Sequence, residues 1–309
     1  MRLMSHLDPS RSPVRPGLAY VLLLTALIVV GISCGAGEAP PADDKEPAPA
    51  AEGFVPVHGD GKLYYQVRGK GHPVVLIHGG STHIGMWDDQ FDVLARHYRV
   101  VRYDVRGYGR SSSSQVGHSQ WHDLRKLLEH LGIERTHIVG LSLGGRIAVD
   151  FALEDPEKVA HLVLAGPGLS GWQFEPAEWI NEVRAAREAG DKRAATEAWL
   201  RSPYLTAIME DPELAERIRQ ISYDTEHSWV QSFRAVQLTP PAVERLSELK
   251  VPALLILGSR DANDAHRIVD LIAANAPNAK TIIVEGAGHM VNMERPEEFN
   301  RAVLDFLPR

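Results

Sequence analysis

A serine, a histidine and an aspartate stand in settings that suit nucleophilic catalysis. Ser142 lies in Gly140-Leu-Ser-Leu-Gly144, between an apolar run at 137–139 that reads as a strand and a stretch at 146–153 that reads as a helix. A sharp strand-to-helix turn strains a serine and exposes its hydroxyl, while flanking glycines relieve crowding. The N-terminus of the following helix adds a field favouring developing negative charge. A bare G-x-S-x-G is common, and a serine there can simply start a helix. The strand before, the helix after and Gly145, which permits close packing, make this copy informative. A serine hydroxyl needs a base. Of the 14 histidines, His289 sits in Glu285-Gly-Ala-Gly-His-Met290, where glycines at 286 and 288 let the chain turn sharply after the last apolar run. By itself it would read as a surface residue in a glycine-rich turn. The base in turn needs an orienting carboxylate. Gly258-Ser-Arg-Asp261 supplies Asp261 just past the apolar run at 254–257, with Asp264 as the nearby competitor.

These groups need a rigid frame. Val74–Ile77, Tyr98–Tyr103, His137–Val139, His161–Ala165, Ala253–Leu257 and Thr281–Val284 are short apolar runs bounded by glycine or polar residues. Such runs suit strands buried on both faces of a parallel sheet. Helical stretches at Trp121–Leu131, Arg146–Leu153 and Ala265–Asn275 alternate with them, which predicts an α/β fold. Residues 172–245 break the alternation, with no good strand and helical stretches at Ala177–Ala189, Ala194–Leu200 and Pro212–Ile221. Inserted after the strand at 161–165, they are expected to cap the carboxyl edge of the sheet, where open α/β folds bind ligands. Trp172, Trp179, Trp199, Tyr204, Trp229 and Phe233 give the cap large apolar side chains, most of them expected to serve packing.

His78-Gly-Gly80, Asp104-Val-Arg-Gly-Tyr-Gly-Arg-Ser111, Gly140-Leu-Ser-Leu-Gly-Gly145, Gly258-Ser-Arg-Asp261 and Gly286-Ala-Gly-His289, followed by Glu294-Arg-Pro296, resemble in this order the motifs of the α/β-hydrolase fold-1 family. The resemblance runs from about Gly53 to Pro308 and implies a mostly parallel sheet flanked by helices, with the cap after the sixth strand. It also implies a triad in the chain order Ser142, Asp261, His289. Some relatives take the acid from the end of the sixth strand, but Gly166-Pro-Gly-Leu-Ser-Gly171 holds none. Gly80 and Leu143 are the implied backbone donors to an oxyanion, a contribution of about 3–4 kcal/mol in such sites. His78 and Asp104 are implied to shape loops. Ser81 departs from the His-Gly-Gly-Gly loop of one lipase and esterase branch and points toward small-molecule hydrolases. The expected reaction is hydrolysis of a small-molecule ester, thioester or lactone through an acyl-serine. C–C bond hydrolysis, perhydrolysis of the haloperoxidase kind and a binding protein without catalysis remain alternatives on the same fold. Ser142 argues against the epoxide hydrolases and haloalkane dehalogenases, which place aspartate at the elbow.

The net charge is −7 and no run of Lys or Arg forms a footprint for nucleic acid. No H-E-x-x-H spacing occurs and no G-x-G-x-x-G opens a helix after a strand, so neither metal nor cofactor is expected. Cys34 is the sole cysteine, which rules out an intrachain disulfide. Arg2, Arg11 and Arg15 precede the apolar run Leu18–Val30, which is short for a membrane span and ends in Gly31-Ile-Ser-Cys34-Gly35. This resembles a bacterial lipoprotein signal, although Gly31 stands where Leu, Val or Ile is usual. The resemblance implies a signal peptide over 1–33 and a lipid anchor on Cys34. The protein would then be exported and tied to the bacterial membrane, facing the periplasm or the exterior. Residues 34–53, rich in Pro, Ala and acids, are expected to be a disordered tether to a domain over 54–309. Nothing in the sequence bears on oligomeric state.

Overall fold

The structure, a computed structural model, describes residues 50–59, 61–113, 117–225 and 235–308. The export segment, Cys34, Trp229 and Phe233 lie outside the described residues, as does the tether up to 49. Among the described residues no helix is long and apolar enough to cross a membrane. The apolar runs form strands of one sheet: β1 (Ala51–Pro56), β2 (Lys62–Arg68), β3 (Pro73–Ile77), β4 (Arg99–Tyr103), β5 (Thr136–Leu141), β6 (Val159–Ala165), β7 (Ala253–Gly258) and β8 (Ala279–Val284). Their order is β1-β2-β4-β3-β5-β6-β7-β8. The pairs β1/β2 and β2/β4 are antiparallel. From β4 across to β8 every pairing is parallel.

Side chains alternate across a strand, so each central strand feeds two cores. Val75, Ile77, Ile138, Leu162, Leu164, Leu255 and Leu257 face one side. There they pack with α2 (Gln120–His130), α3 (Leu143–Glu154) and α8 (Asn263–Asn275). Val74, Leu76, Val139, Leu141, Val163, Leu254 and Ile256 face the other. They meet α1 (Asp88–Ala95) and α10 (Pro296–Phe306), which contribute Phe91, Leu94, Phe299 and Val303. This two-sided burial explains why the runs read as uninterrupted apolar stretches.

Between β6 and β7 come α4 (Glu178–Glu188), α5 (Lys192–Leu200), α6 (Pro212–Tyr223) and the short α7 (Ala242–Arg245). The start of α6 is set by Pro212 at its first position and by Asp211, whose Oδ1 accepts the Glu213 and Leu214 N–H groups at 2.9 and 3.1 Å. Leu205, Ile208, Ile218 and Ile221 tie this segment to the second core. A last short helix, α9 (Val291–Glu294), leads into α10.

One boundary differs from expectation. The stretch expected to be tether up to 53 gives its last three residues to β1, where Ala51 pairs with Val67, Glu52 with Gln66 and Gly53 with Tyr65. Pairing rather than burial makes this strand: Glu52 Oε2 accepts from the Tyr64 hydroxyl and from Gln66 Nε2 across it.

Candidate active site

Ser142 directly follows β5 and caps α3, with φ 53° and ψ −111°, a region strained for an L residue. Its N–H donates to the Ala165 carbonyl at 3.0 Å, and its own carbonyl accepts from Gly168 N–H at 2.8 Å and Arg146 N–H at 3.0 Å. The first turn of α3 passes so close to β3 that a β-carbon on Gly144 would lie 2.0 Å from the Ile77 oxygen. Among the described residues, the other non-glycine with positive φ is Ser81, at 60°. Both serines line one cavity. Stored backbone strain gathers where a site must be held in one geometry.

His289 lies in the loop after β8, with Nδ1 2.9 Å from Asp261 Oδ2 and 3.0 Å from Oδ1. Both side chains are buried. With Nδ1–H donating to the carboxylate, the neutral ring presents Nε2 as its acceptor. Nε2 is buried and makes no hydrogen bond to any described residue. Asp264 is elsewhere, in the first turn of α8, where its Oδ1 accepts Trp172 Nε1–H at 3.1 Å. Gly166, at the end of β6 with φ 43°, backs the Asp–His pair. A β-carbon there would stand 2.8 Å from Asp261 Oδ2 and 2.9 Å from His289 Nδ1. Position 166 thus has no room for a side chain, an acidic one included.

Gly80 and Leu143 come together: a β-carbon on Gly80 would lie 4.0 Å from Leu143 Cβ. Leu143 is the first residue of α3, so its N–H has no acceptor within the helix. The loop carrying Gly80 is fixed by His78, whose Nε2 accepts Val105 N–H at 2.9 Å while Nδ1 donates to the Gly79 carbonyl at 2.7 Å. Burial pushes the His78 pKa down to about 3, so the ring is neutral and serves the loop. Asp104 holds its own turn in the same way, with Oδ1 accepting Ile84 N–H at 2.9 Å and Oδ2 accepting Arg110 N–H at 2.8 Å.

The cavity over Ser142 and His289 measures about 310 Å³. Trp179, Trp199 and Tyr204 of the cap line it and touch one another, with ring centroids 5.7–6.0 Å apart. The Tyr204 ring lies 4.7 Å from the His289 ring, which places the cap directly on the imidazole. Trp172 does not line the cavity; it serves Asp264 instead. Sequence reasoning passed over Arg184 and Arg187, which line the cavity with Ile180 and Val183. The signal was present, since these four recur at the three- and four-residue spacing of one helix face. Burial lowers the Arg187 pKa to about 10, leaving it a cation in a largely apolar wall. Among the described residues no cluster of His, Cys, Asp and Glu is placed to hold a metal ion.

A strained elbow serine and a buried Asp–His pair on the carboxyl edge of a mostly parallel sheet are the architecture of an α/β hydrolase. The chain belongs to the alpha/beta hydrolase fold family, whose model matches residues 72–296. It is 33% identical over 279 residues to a 2-hydroxy-6-oxononadienedioate/2-hydroxy-6-oxononatrienedioate hydrolase of Burkholderia vietnamiensis, covering 84% of this chain and 96% of that one. Among solved structures it resembles a hydrolase from Pseudomonas aeruginosa, with TM-score 0.71 and 30% identity over 84% of this chain and 98% of the other. An enol-lactonase from Burkholderia xenovorans matches with TM-score 0.69 and 26% identity, over 82% and 99% of the two chains.

Proposed function

We propose that this protein is a serine hydrolase that cleaves a carboxylic ester, thioester or lactone of a small molecule through an acyl-serine intermediate. The observation that carries the reading is the buried Asp261–His289 pair beside a cavity that the elbow serine also lines. Ser142 Oγ attacks the carbonyl carbon while His289 Nε2 takes its proton. The oxygen that becomes negative receives the N–H groups of Gly80 and Leu143. Asp261 stabilises the imidazolium, which then protonates the leaving alcohol, thiol or ring oxygen. Water, deprotonated by His289, releases the acid and restores the serine. Hydrolysis of p-nitrophenyl esters of increasing chain length, alongside lactones, tests this together with fluorophosphonate labelling. Ser142→Ala should abolish both turnover and label; undiminished labelling of that variant would sink the assignment.

A second reading, C–C bond hydrolysis of an oxo-dienoate, is favoured by Arg184 and Arg187 in the cavity wall, which suit a substrate carboxylate. The name of the Burkholderia vietnamiensis relative points the same way. Turnover of a vinylogous diketo acid, with p-nitrophenyl esters left untouched, would select this reading.

For the N-terminal segment the reading is export with a lipid on Cys34. Native protein should partition with membranes and Cys34→Ser should release it; a soluble cytoplasmic chain with residues 1–33 intact would refute export.

A further inference from the structure

His289 is held by more than its partner at Nδ1. The side chain of Glu294, at the end of α9, folds back over its own loop: Oε2 accepts Gly288 N–H at 2.7 Å and Oε1 accepts Met290 N–H at 3.0 Å. One carboxylate therefore grips the peptide units on both sides of the imidazole, leaving the residue between them little freedom to rotate. Glu294 is itself buried. A β-carbon on Gly288 would lie 2.6 Å from Ala207 Cβ of the cap and 3.2 Å from Glu294 Oε1, so the loop packs closely against both the cap and the carboxylate.

We propose that Glu294 is a positioning residue for His289: it clamps the two flanking N–H groups and keeps a second negative charge near the imidazolium formed during attack. The inference rests on the hydrolase reading above. Charged and titratable groups facing this pair are Asp261 at Nδ1, Tyr204 from the cap, Arg260, and Arg295, whose Nη1 donates to the Glu294 carbonyl at 2.8 Å. Arg260 is also ion-paired with Glu210 at 2.5 Å, so part of its charge is taken up in the cap. Burial raises the Glu294 pKa, the His289 charge lowers it and Asp261 raises it, which marks the three groups as electrostatically linked.

A nearby negative charge favours the protonated imidazole, so removing it moves the acid limb of activity to lower pH. The test uses the full-length protein and the rate of fluorophosphonate labelling of Ser142 across pH, which requires no knowledge of the substrate. Glu294→Gln keeps the shape but turns an amide nitrogen toward one N–H. It should label about tenfold more slowly at the optimum, with the acid limb moved to lower pH than the parent's. Glu294→Asp keeps the charge but is one methylene short of spanning both donors. It should be slower too, with its acid limb at the parent's position. A folded Glu294→Gln that labels at the parent rate overturns the proposal. So does one that is slower with an unmoved limb, because a purely structural residue would behave that way. If Glu294→Gln does not fold, a parent-like rate in Glu294→Asp overturns the clamp by itself. Absence of label on Ser142 in the parent is a separate result: it defeats the hydrolase reading and takes this inference with it.

Discussion

Gly166→Ala is a small change with a calculable consequence. The position has φ 43°, and its added methyl would stand 2.8 Å from Asp261 Oδ2 and 2.9 Å from His289 Nδ1. Placing an alanine in the left-handed region costs about 1–2 kcal/mol. For a domain of this size that corresponds to a fall in Tm of roughly 2–8 °C. The steric part acts on chemistry instead. Ordinary carbon contacts begin near 3.4 Å, so the Asp–His pair must retreat by about half an ångström. Misplacement by 1 Å can cost about a hundredfold, so half of that predicts roughly a tenfold loss in kcat. KM should stay within about threefold, since the alanine adds nothing that grips substrate. Saturation kinetics on a p-nitrophenyl ester, with thermal unfolding of the same samples, measure both effects. A variant with lowered Tm and kcat within twofold of the parent would show that the methyl is absorbed by the β6 loop. The claim that Gly166 supports the pair would then be wrong.

Asp261→Asn should lose about three to four orders of magnitude in kcat, because an amide cannot hold the imidazole in its working tautomer. Asp264→Asn, whose parent carboxylate serves Trp172, should stay within about tenfold; the reverse ranking would move the acid by three positions. Acid stability supplies a third prediction, since burial pushes both His78 and His137 down to about 3. Stability present above pH 6.5, the ordinary histidine value, is lost as the pH falls toward 3, because the unfolded chain binds protons that the folded one refuses. His137→Asn should flatten the slope of unfolding free energy below pH 6.5 by up to about 1.4 kcal/mol per pH unit. Asp150, pushed up to about 6, opposes this trend equally in both proteins and cancels in the comparison. Denaturant titrations giving identical slopes for parent and variant would contradict the assignment.

The parts that were legible are those whose physics is local. Strands buried on both faces leave unbroken apolar runs, so β3 to β7 could be read with boundaries off by a residue or two; β8, an exposed edge strand, was legible only from its apolar residues. The elbow at Ser142 and the turn at His289 announce themselves through glycines that the close packing demands. Asp261 needed fold-level order to separate it from Asp264, and the structure brings it, not Asp264, to His289 Nδ1. The strand at Ala51–Pro56 was hidden because its residues are mostly exposed and are ordered by pairing with the neighbouring β2 rather than by burial. In sequence Glu294 is only one letter of a motif: nothing in a one-dimensional pattern tells that its carboxylate doubles back onto Gly288 and Met290. Arg187 was missed for a related reason, since a charge on a helix normally reads as solvated surface.

The insertion between β6 and β7 leaves and rejoins the sheet through one gap, and this matters for how such a molecule can change over time. The groups that would break the bond belong to the ends of β5, β7 and β8, whereas the helical side walls around Trp179, Ile180 and Val183 belong to the insert. Substitutions in those walls can redraw the set of accepted molecules and leave the reacting atoms undisturbed. A whole insert could be exchanged between related chains with its two attachment points kept. Tyr204 against His289, and Ala207 against Gly288, are where that independence ends. A chimera that ignores these two contacts would inherit a new appetite and lose the aim of its base.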